Sequence, residues 1–387
     1  MTTAPRRRAV ATAPGKLILA GEHSVVYGGA ALVAAIGLRA TVEAAVEAPA
    51  EETPSDHLVR IALRDLDLEV RESWGGLIAY AGHAREAWER YAAAPSQAGF
   101  LAVRGSDPAH LVKVALGEIG REMGQERTAE RDGPGLPPLA LTVRSEIPIG
   151  SGFGSSAALA AAVPAAALAA LGHAPSRERL TRLALEVERR QHGTPSGADH
   201  RTVLHGGIVR IEHRIEHRAG GALAVHRLEV DAERLAGFAV YDTGVPAEST
   251  GEVVAAVRAL RDREPEAFER RLERMGAAVD RLTAALTAES GGEKGGPEDV
   301  ASSIRRFERC LEEIGVVPAS IQSRIRAIEA RGGAAKLSGA GALSGGGAGS
   351  LLVYRPPGCA ALERELAGVA HRAIALGVEG LHVEVIE

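Results

Sequence analysis

The chain has 387 residues, 45% of them hydrophobic and 25% charged, with a formal charge of −5. This is the balance of one large or two ordinary globular domains, and it excludes wholesale disorder; the 46 glycines follow no three-residue period, which excludes collagen. No general positive field exists to hold nucleic acid or anionic lipid, so an anionic ligand needs a local site.

In chain order, Lys16–Ala20 is a short apolar run, Gly21–Gly29 a glycine-bounded turn and Ala30–Val46 a long apolar stretch, together reading as strands and turns. Residues 75–120 read mostly as helix, and Gly124–Pro138 as a loop ending in Gly133-Pro134-Gly135. Leu139–Ile147 alternates as a strand does, and a glycine loop leads into an alanine-rich helix over Ala157–Leu171, interrupted by Pro164. That helix is too short and too weakly apolar to span a bilayer. Ser176 is placed to cap the next helix, which Glu188 ends. Thr194-Pro195 reads as the cap and first residue of another, with Asp199 in its second turn.

Ile208–Arg218 and Leu223–Val230 read as a hairpin around Ala219-Gly220-Gly221. Thr250–Leu286 has helical spacing, and Thr287–Glu298 reads as a mobile surface loop. Ala301–Ile314 and Ile321–Arg331 follow as helices. After a second glycine loop, Ser338–Ser350, come strand Leu351–Tyr354, helix Cys359–Leu376 and strand Gly380–Ile386. The domain boundary is expected within 205–235.

Cys310 and Cys359 are far apart and form no metal or redox motif, which suits a reducing, cytoplasmic compartment. The first ten residues carry Arg6-Arg7-Arg8 but no apolar core, so no secretory signal is read. His213 and His217 would lie ~13 Å apart along a strand at ~3.3 Å per residue, too far to share zinc, so exposed strand histidines are favoured over a zinc site.

Three segments carry chemistry. In Pro148-Ile149-Gly150-Ser151-Gly152-Phe153-Gly154-Ser155-Ser156, alternate glycines let backbone approach an anion, and the helix starting near Ser155 adds unpaired N–H groups. One of the two serine hydroxyls is within reach of Mg²⁺. It is not a Walker A motif, since no G-x-x-x-x-G-K-[ST] occurs in the chain. In Pro14-Gly15-Lys16 to Gly21-Glu22-His23, Lys16 is a point charge opening an apolar strand, suited to a phosphate or to a hydroxyl losing its proton. In Glu188 to Asp199, a tight Gly193 turn brings two carboxylates toward one site, one for Mg²⁺ and one to accept a proton. Taken singly, each has a plain structural explanation: a helix-capping turn, a strand-edge lysine, two solvated carboxylates. Only four of the 45 basic residues are lysine, and two of these, Lys16 and Lys336, adjoin such segments.

The three motifs in this order, the third being Lys336 to Gly341, resemble those of the GHMP family of small-molecule kinases, over essentially the whole chain. The resemblance implies an α+β, two-domain fold. An N-terminal ribosomal-protein-S5-domain-2-like α/β domain (1–220) would bind ATP, and a ferredoxin-like α+β domain (221–387) would follow. The runs Gly21-Glu22-His23-Ser24-Val25-Val26-Tyr27-Gly28 and His192 to Asp199, with Asp242-Thr243-Gly244 and Ser249-Thr250, are similar to the branch that phosphorylates the primary hydroxyl of mevalonate.

That resemblance assigns Asp199 and Lys16 as catalytic residues, and Pro148, Gly150, Ser151, Gly152, Phe153, Gly154, Ser155 and Ser156 to ATP. It gives Ser156 and Glu188 to Mg²⁺, and Glu22, His23, Thr250 and Ala340 to substrate. The implied partners are mevalonate and ATP, with no nucleic acid or membrane, and it leaves room for a homodimer. Two positions depart from the family pattern: Thr194 stands in place of an asparagine, and Ala342-Leu343-Ser344 interrupts the third glycine run. The competing readings are a kinase of this fold for another hydroxy acid or sugar, a decarboxylase of mevalonate phosphates (which generally lacks the Lys16-type residue), and a non-catalytic sensor.

Overall fold

A computed structural model of the chain describes residues 7–47, 58–129, 135–213, 223–288 and 295–386. The first sheet is built on a long strand, β2 (Ala31–Val46), whose inward positions are small and aliphatic. On one side β2 takes β1 (Arg8–Ala20), and β12 (His382–Ile386) pairs with the far edge of β1. On its other side β2 is shared: Ala40–Val46 pair with β5 (Leu139–Ser145), and Ala31–Ala34 with β6 (Ile208–His213). Beyond β5 come β3 (Leu58–Leu63), paired parallel to it, and then β4 (Leu68–Ser73); β7 (Leu223–Leu228) pairs with β6.

Helices α1 (Trp74–Ala93), α2 (Gln97–Arg104), α3 (His110–Ala129), α4 (Ser155–Ala170), α5 (Arg177–His192) and α6 (Ala198–His205) belong to this half. α4 packs on β1 and β2 and is buried on nearly every side, which explains its all-round alanine composition. It runs unbroken through Pro164. Ser176 caps α5, its side chain accepting a hydrogen bond from the Arg179 amide.

The second sheet is antiparallel, in the order β11 (Ala370–Arg372), β8 (Phe238–Asp242), β10 (Ser350–Tyr354), β9 (Ala334–Ser338). With it go α7 (Ala232–Leu235), α8 (Thr250–Arg263), α9 (Pro265–Thr287), α10 (Pro297–Glu313) and α11 (Ala319–Ala330). Helices and strands in two sheets make this an α+β fold. Residues 214–222, which contain the expected boundary at 220/221, lie outside the described residues; β7 just after them joins the first sheet, and β12 returns to it.

Several local expectations are corrected. Cys359–Leu376 is not a helix. Gly368 takes φ +78°, and Ala370–Arg372 is drawn onto the otherwise bare edge of β8, where Arg372 bonds Asp242 at 2.6 Å; pairing an edge outweighs helical spacing here. The loop expected from Gly124 begins later, because α3 continues to Ala129. Helix α6 starts at Ala198 with Gly197 as its cap, because Gly197 sits in the left-handed region; Asp199 is therefore in the first turn and Thr194-Pro195 is not a cap. α5 runs one turn past Glu188, to His192. The Ala219–Gly221 turn, His217 and residues 289–294 of the expected mobile loop lie outside the described residues. No helix among the described residues is long and apolar enough to cross a membrane.

Candidate active site

The glycine loop between β5 and α4 is fixed from three directions. Ser151 Oγ donates to Pro148 O at 2.7 Å, which closes the loop on itself. The Lys16 amide donates to Phe153 O at 2.8 Å, tying the loop to β1. Ser350 Oγ donates to Ser151 O at 2.9 Å, tying it to the second sheet. Gly150, Gly152 and Gly154 all have φ between +76° and +80°. At Gly154 a side chain would also collide: its Cβ would stand 2.6 Å from Lys16 Cγ. The loop thus lies directly on the stem of Lys16. Gly154 caps α4 without any side-chain hydrogen bond, leaving the first-turn N–H groups for an outside acceptor.

Phe153 is buried and offers the loop only its backbone; Ile149 stands 77% exposed at the rim.

Lys16 leaves β1 beneath this loop and meets Asp199 from the start of α6, Nζ to Oδ2 at 3.1 Å. The lysine is 7% exposed and the aspartate 30%, so the pair is anchored below and open above. Glu188, 1% exposed, lies close enough to feel both: burial pushes its carboxyl up, with the Asp199 charge adding to that, while His192, Ser156 and Lys16 draw it down. Ser156 Oγ and His192 Nε2 are 2.9 Å apart, and His192 Nε2 is 3.9 Å from Glu188 Oε1.

Glu188 Oε1 is buried without a hydrogen-bond partner among the described residues. An orphaned carboxylate oxygen beside a hydroxyl fits a hard divalent cation, which takes one or two carboxylates and completes its shell with phosphate oxygens and water. Among the described residues no cluster of three or more His, Cys, Asp or Glu side chains is arranged as a self-sufficient metal cage. Such a cation would therefore have to share phosphate oxygens.

The residues expected to meet substrate divide. His23, at φ +60°, places Nε2 2.9 Å from Ala340 O, bringing the first and third motifs together. Glu22 does not face the opening: it is 3% exposed and ion-paired with Lys336. Thr250 begins α8 beside its cap, Ser249, which forms a reciprocal capping box with Glu252. Among the described residues, neither a hydrogen bond nor an ion pair joins Thr250 to Lys16 or Asp199; next to it, a Cβ on Gly251 would stand 3.6 Å from Phe100.

The inserted Leu343-Ser344 has a definite role: the Leu343 amide and Ser344 Oγ both donate to the Glu248 carboxylate, at 3.0 and 2.5 Å, joining the third glycine loop to the start of α8.

Sequence reasoning assigns no role to three residues. His192 bridges Ser156 and Glu188; its only local signal is the four-residue spacing from Glu188 on a helix. Trp88 Nε1 donates to Gly193 O at 2.6 Å and carries Arg189 over its ring, which holds the turn before Asp199. Lys336 stands out in the sequence by its rarity, but nothing near it points to its partner.

The sequence signature of the GHMP kinases N terminal domain matches residues 110–207, the stretch holding the glycine loop, Glu188 and Asp199. Mevalonate kinase of Archaeoglobus fulgidus is 29% identical over 370 residues, covering 93% of this chain and 98% of its own length. Among solved structures, Methanococcus jannaschii mevalonate kinase superposes with a TM-score of 0.63 at 19% identity, covering 95% of this chain and 98% of that one. Streptococcus pneumoniae phosphomevalonate kinase, in complex with phosphomevalonate and AMPPNP, superposes with a TM-score of 0.64 at 18% identity, covering 98% and 99%. The fold is thus that of the GHMP kinases, and it is shared by enzymes with different acceptors.

Proposed function

We infer, from a chain that belongs to the GHMP kinase family and has mevalonate kinases among its relatives, that it transfers the γ-phosphoryl group of ATP to the primary hydroxyl of mevalonate. The products are 5-phosphomevalonate and ADP, a step toward isoprenoid precursors. One observation carries the reading: an ammonium and a carboxylate, 3.1 Å apart, stand at the mouth of a glycine cradle next to a buried Glu188 whose Oε1 has no hydrogen-bond partner among the described residues.

Phosphoryl transfer asks the protein for alignment and charge neutralisation rather than covalent chemistry. The free amides of the loop and of the first turn of α4 hold phosphate oxygens. Glu188 and Ser156 would hold Mg²⁺, whose charge neutralises the triphosphate. Asp199, the more open partner of the pair, accepts the hydroxyl proton as that oxygen attacks the γ-phosphorus and the bond to the departing ADP oxygen breaks. Lys16, held by the loop packed on its stem, faces the negative charge developing on the acceptor oxygen. His23 from the first motif and Ala340 from the third close the site together.

The test is ADP release with mevalonate, phosphomevalonate, galactose and homoserine offered separately. Turnover on mevalonate supports the reading. Turnover only on one of the other three overturns the substrate assignment, and release of CO₂ from a phosphorylated mevalonate would make the chain a lyase.

A further inference from the structure

Strand β9 crosses the end of β1 at a single point. Lys336 and Ser338, alternate residues on one face of β9, both reach the carbonyl of Ile18, at 3.4 and 2.9 Å. Ile18 lies two residues beyond Lys16. Lys336, fully buried, also pairs with Glu22, and its ammonium stands 5.5 Å from the Phe307 ring centroid. Behind it Glu308, equally buried, accepts the Leu337 amide at 3.1 Å. Burial pushes the Glu22 and Glu308 carboxyls up, and the one ammonium between them opposes both.

The turn held by these contacts is strained. His23 sits at φ +60°, ψ −51°, outside the ordinary regions for a residue with a side chain. Such a conformation persists only where its surroundings impose it. What imposes it is on either side: Glu22 on Lys336, and His23 on the carbonyl of Ala340, four residues beyond Lys336. The lysine is thus the point at which the second sheet fixes both the end of the catalytic strand and the turn that follows.

We propose that Lys336 is a positioning residue that, by clasping Glu22 and the Ile18 carbonyl, holds the strained Gly21–Gly29 turn in the shape that receives the acceptor substrate. It touches no reacting atom and acts through Glu22, His23 and β1. This rests on the reading of the site as that of a mevalonate kinase, so one of the two readouts below is independent of activity.

The test is Lys336→Met, read by hydrogen exchange and by steady-state kinetics with mevalonate and ATP. The turn carries its own protected amides: Val25 bonds Gly21 O, Val26 bonds His23 O and Gly29 bonds Ser24 O. The expected result is exchange at least tenfold faster across Ser24–Gly29, with α9 and α10 unchanged. KM for mevalonate rises at least tenfold while ATP binding stays within threefold. Unchanged exchange across the turn overturns the proposal, and so does a uniform acceleration over the whole molecule, which is a merely structural role.

Where Lys336→Met alone does not fold, Glu22→Gln/Glu308→Gln/Lys336→Met removes the ammonium and both carboxyls it opposes, and is read by exchange in the same way. If the wild type fails to phosphorylate mevalonate, the proposed function falls, while the exchange comparison still decides the role of Lys336.

Discussion

Two lysine–carboxylate pairs, Lys16–Asp199 and Lys336–Glu22, join distant parts of the sequence, and they are built to opposite ends. Lys16–Asp199 is 3.1 Å across, 7% and 30% exposed, with open space above its carboxylate. Lys336–Glu22 is 0% and 3% exposed and is closed over by Ser338, Ile18 and Phe307. A buried pair has lost its water and depends wholly on its partner; removing one side strands a charge. A half-open pair keeps a carboxylate that can exchange its partner for a substrate hydroxyl. On the proposed reading, the same two residue types serve chemistry in one place and architecture in the other, and burial separates the two.

The largest expected effect breaks the open pair. Lys16→Met should lower kcat by at least ~10²-fold, the lower range for a group acting on a proton in flight, with ATP binding retained by equilibrium titration. A rate near wild type would remove Lys16 from the mechanism.

Next is the glycine loop packed on the lysine of the open pair. Gly154→Ala places a Cβ 2.6 Å from Lys16 Cγ at φ +76°, a strain of about 1–3 kcal/mol. KM for ATP should rise about tenfold and the melting temperature should fall, by kinetics and calorimetry. An unchanged KM would separate the loop from the nucleotide.

The buried side is sharpened by Glu308→Gln. Burial raises the Glu308 carboxyl well above its usual range. The folded state then binds this proton more tightly than the unfolded one. The stability it contributes is present at low pH and is lost as pH climbs from the ordinary carboxylate range through the raised value. Glutamine mimics the protonated form and does not titrate. Its melting temperature should match wild type near pH 5 and exceed it increasingly toward pH 9; a constant difference across that range would mean that Glu308 is ionised throughout.

The smallest effect is at the rim. Ser344→Ala removes one donor from the exposed Glu248 and should shift the melting temperature by no more than about 2 °C. A larger shift would show that the insertion in the third glycine loop braces the fold.

What the sequence disclosed was local. The glycine loop, the Ser176 cap and the alanine helix are written in residues next to one another, and each forms where the pattern placed it. Lys16 and Asp199 stand out because each sits in a short unusual run, although 183 residues separate them. What stayed hidden depends on partners far along the chain. Glu22 and Lys336 are 314 residues apart, so nothing local shows that Glu22 pairs with a buried lysine rather than facing substrate. β11 reads as helix in the sequence because its covering of the β8 edge is a property of the sheet and not of Cys359–Leu376 itself. Gly197 displaces the expected Thr194-Pro195 cap because a left-handed residue at that point stops a helix from running through it.

The most direct measurement is single-turnover phosphoryl transfer from ATP to mevalonate by the wild type and Asp199→Asn, with ATP binding measured on both. The wild type should form 5-phosphomevalonate in one exponential phase, and the variant should bind ATP normally yet transfer at least ~10²-fold more slowly. Transfer by Asp199→Asn at the wild-type rate would contradict the assignment of the half-open carboxylate to the chemistry.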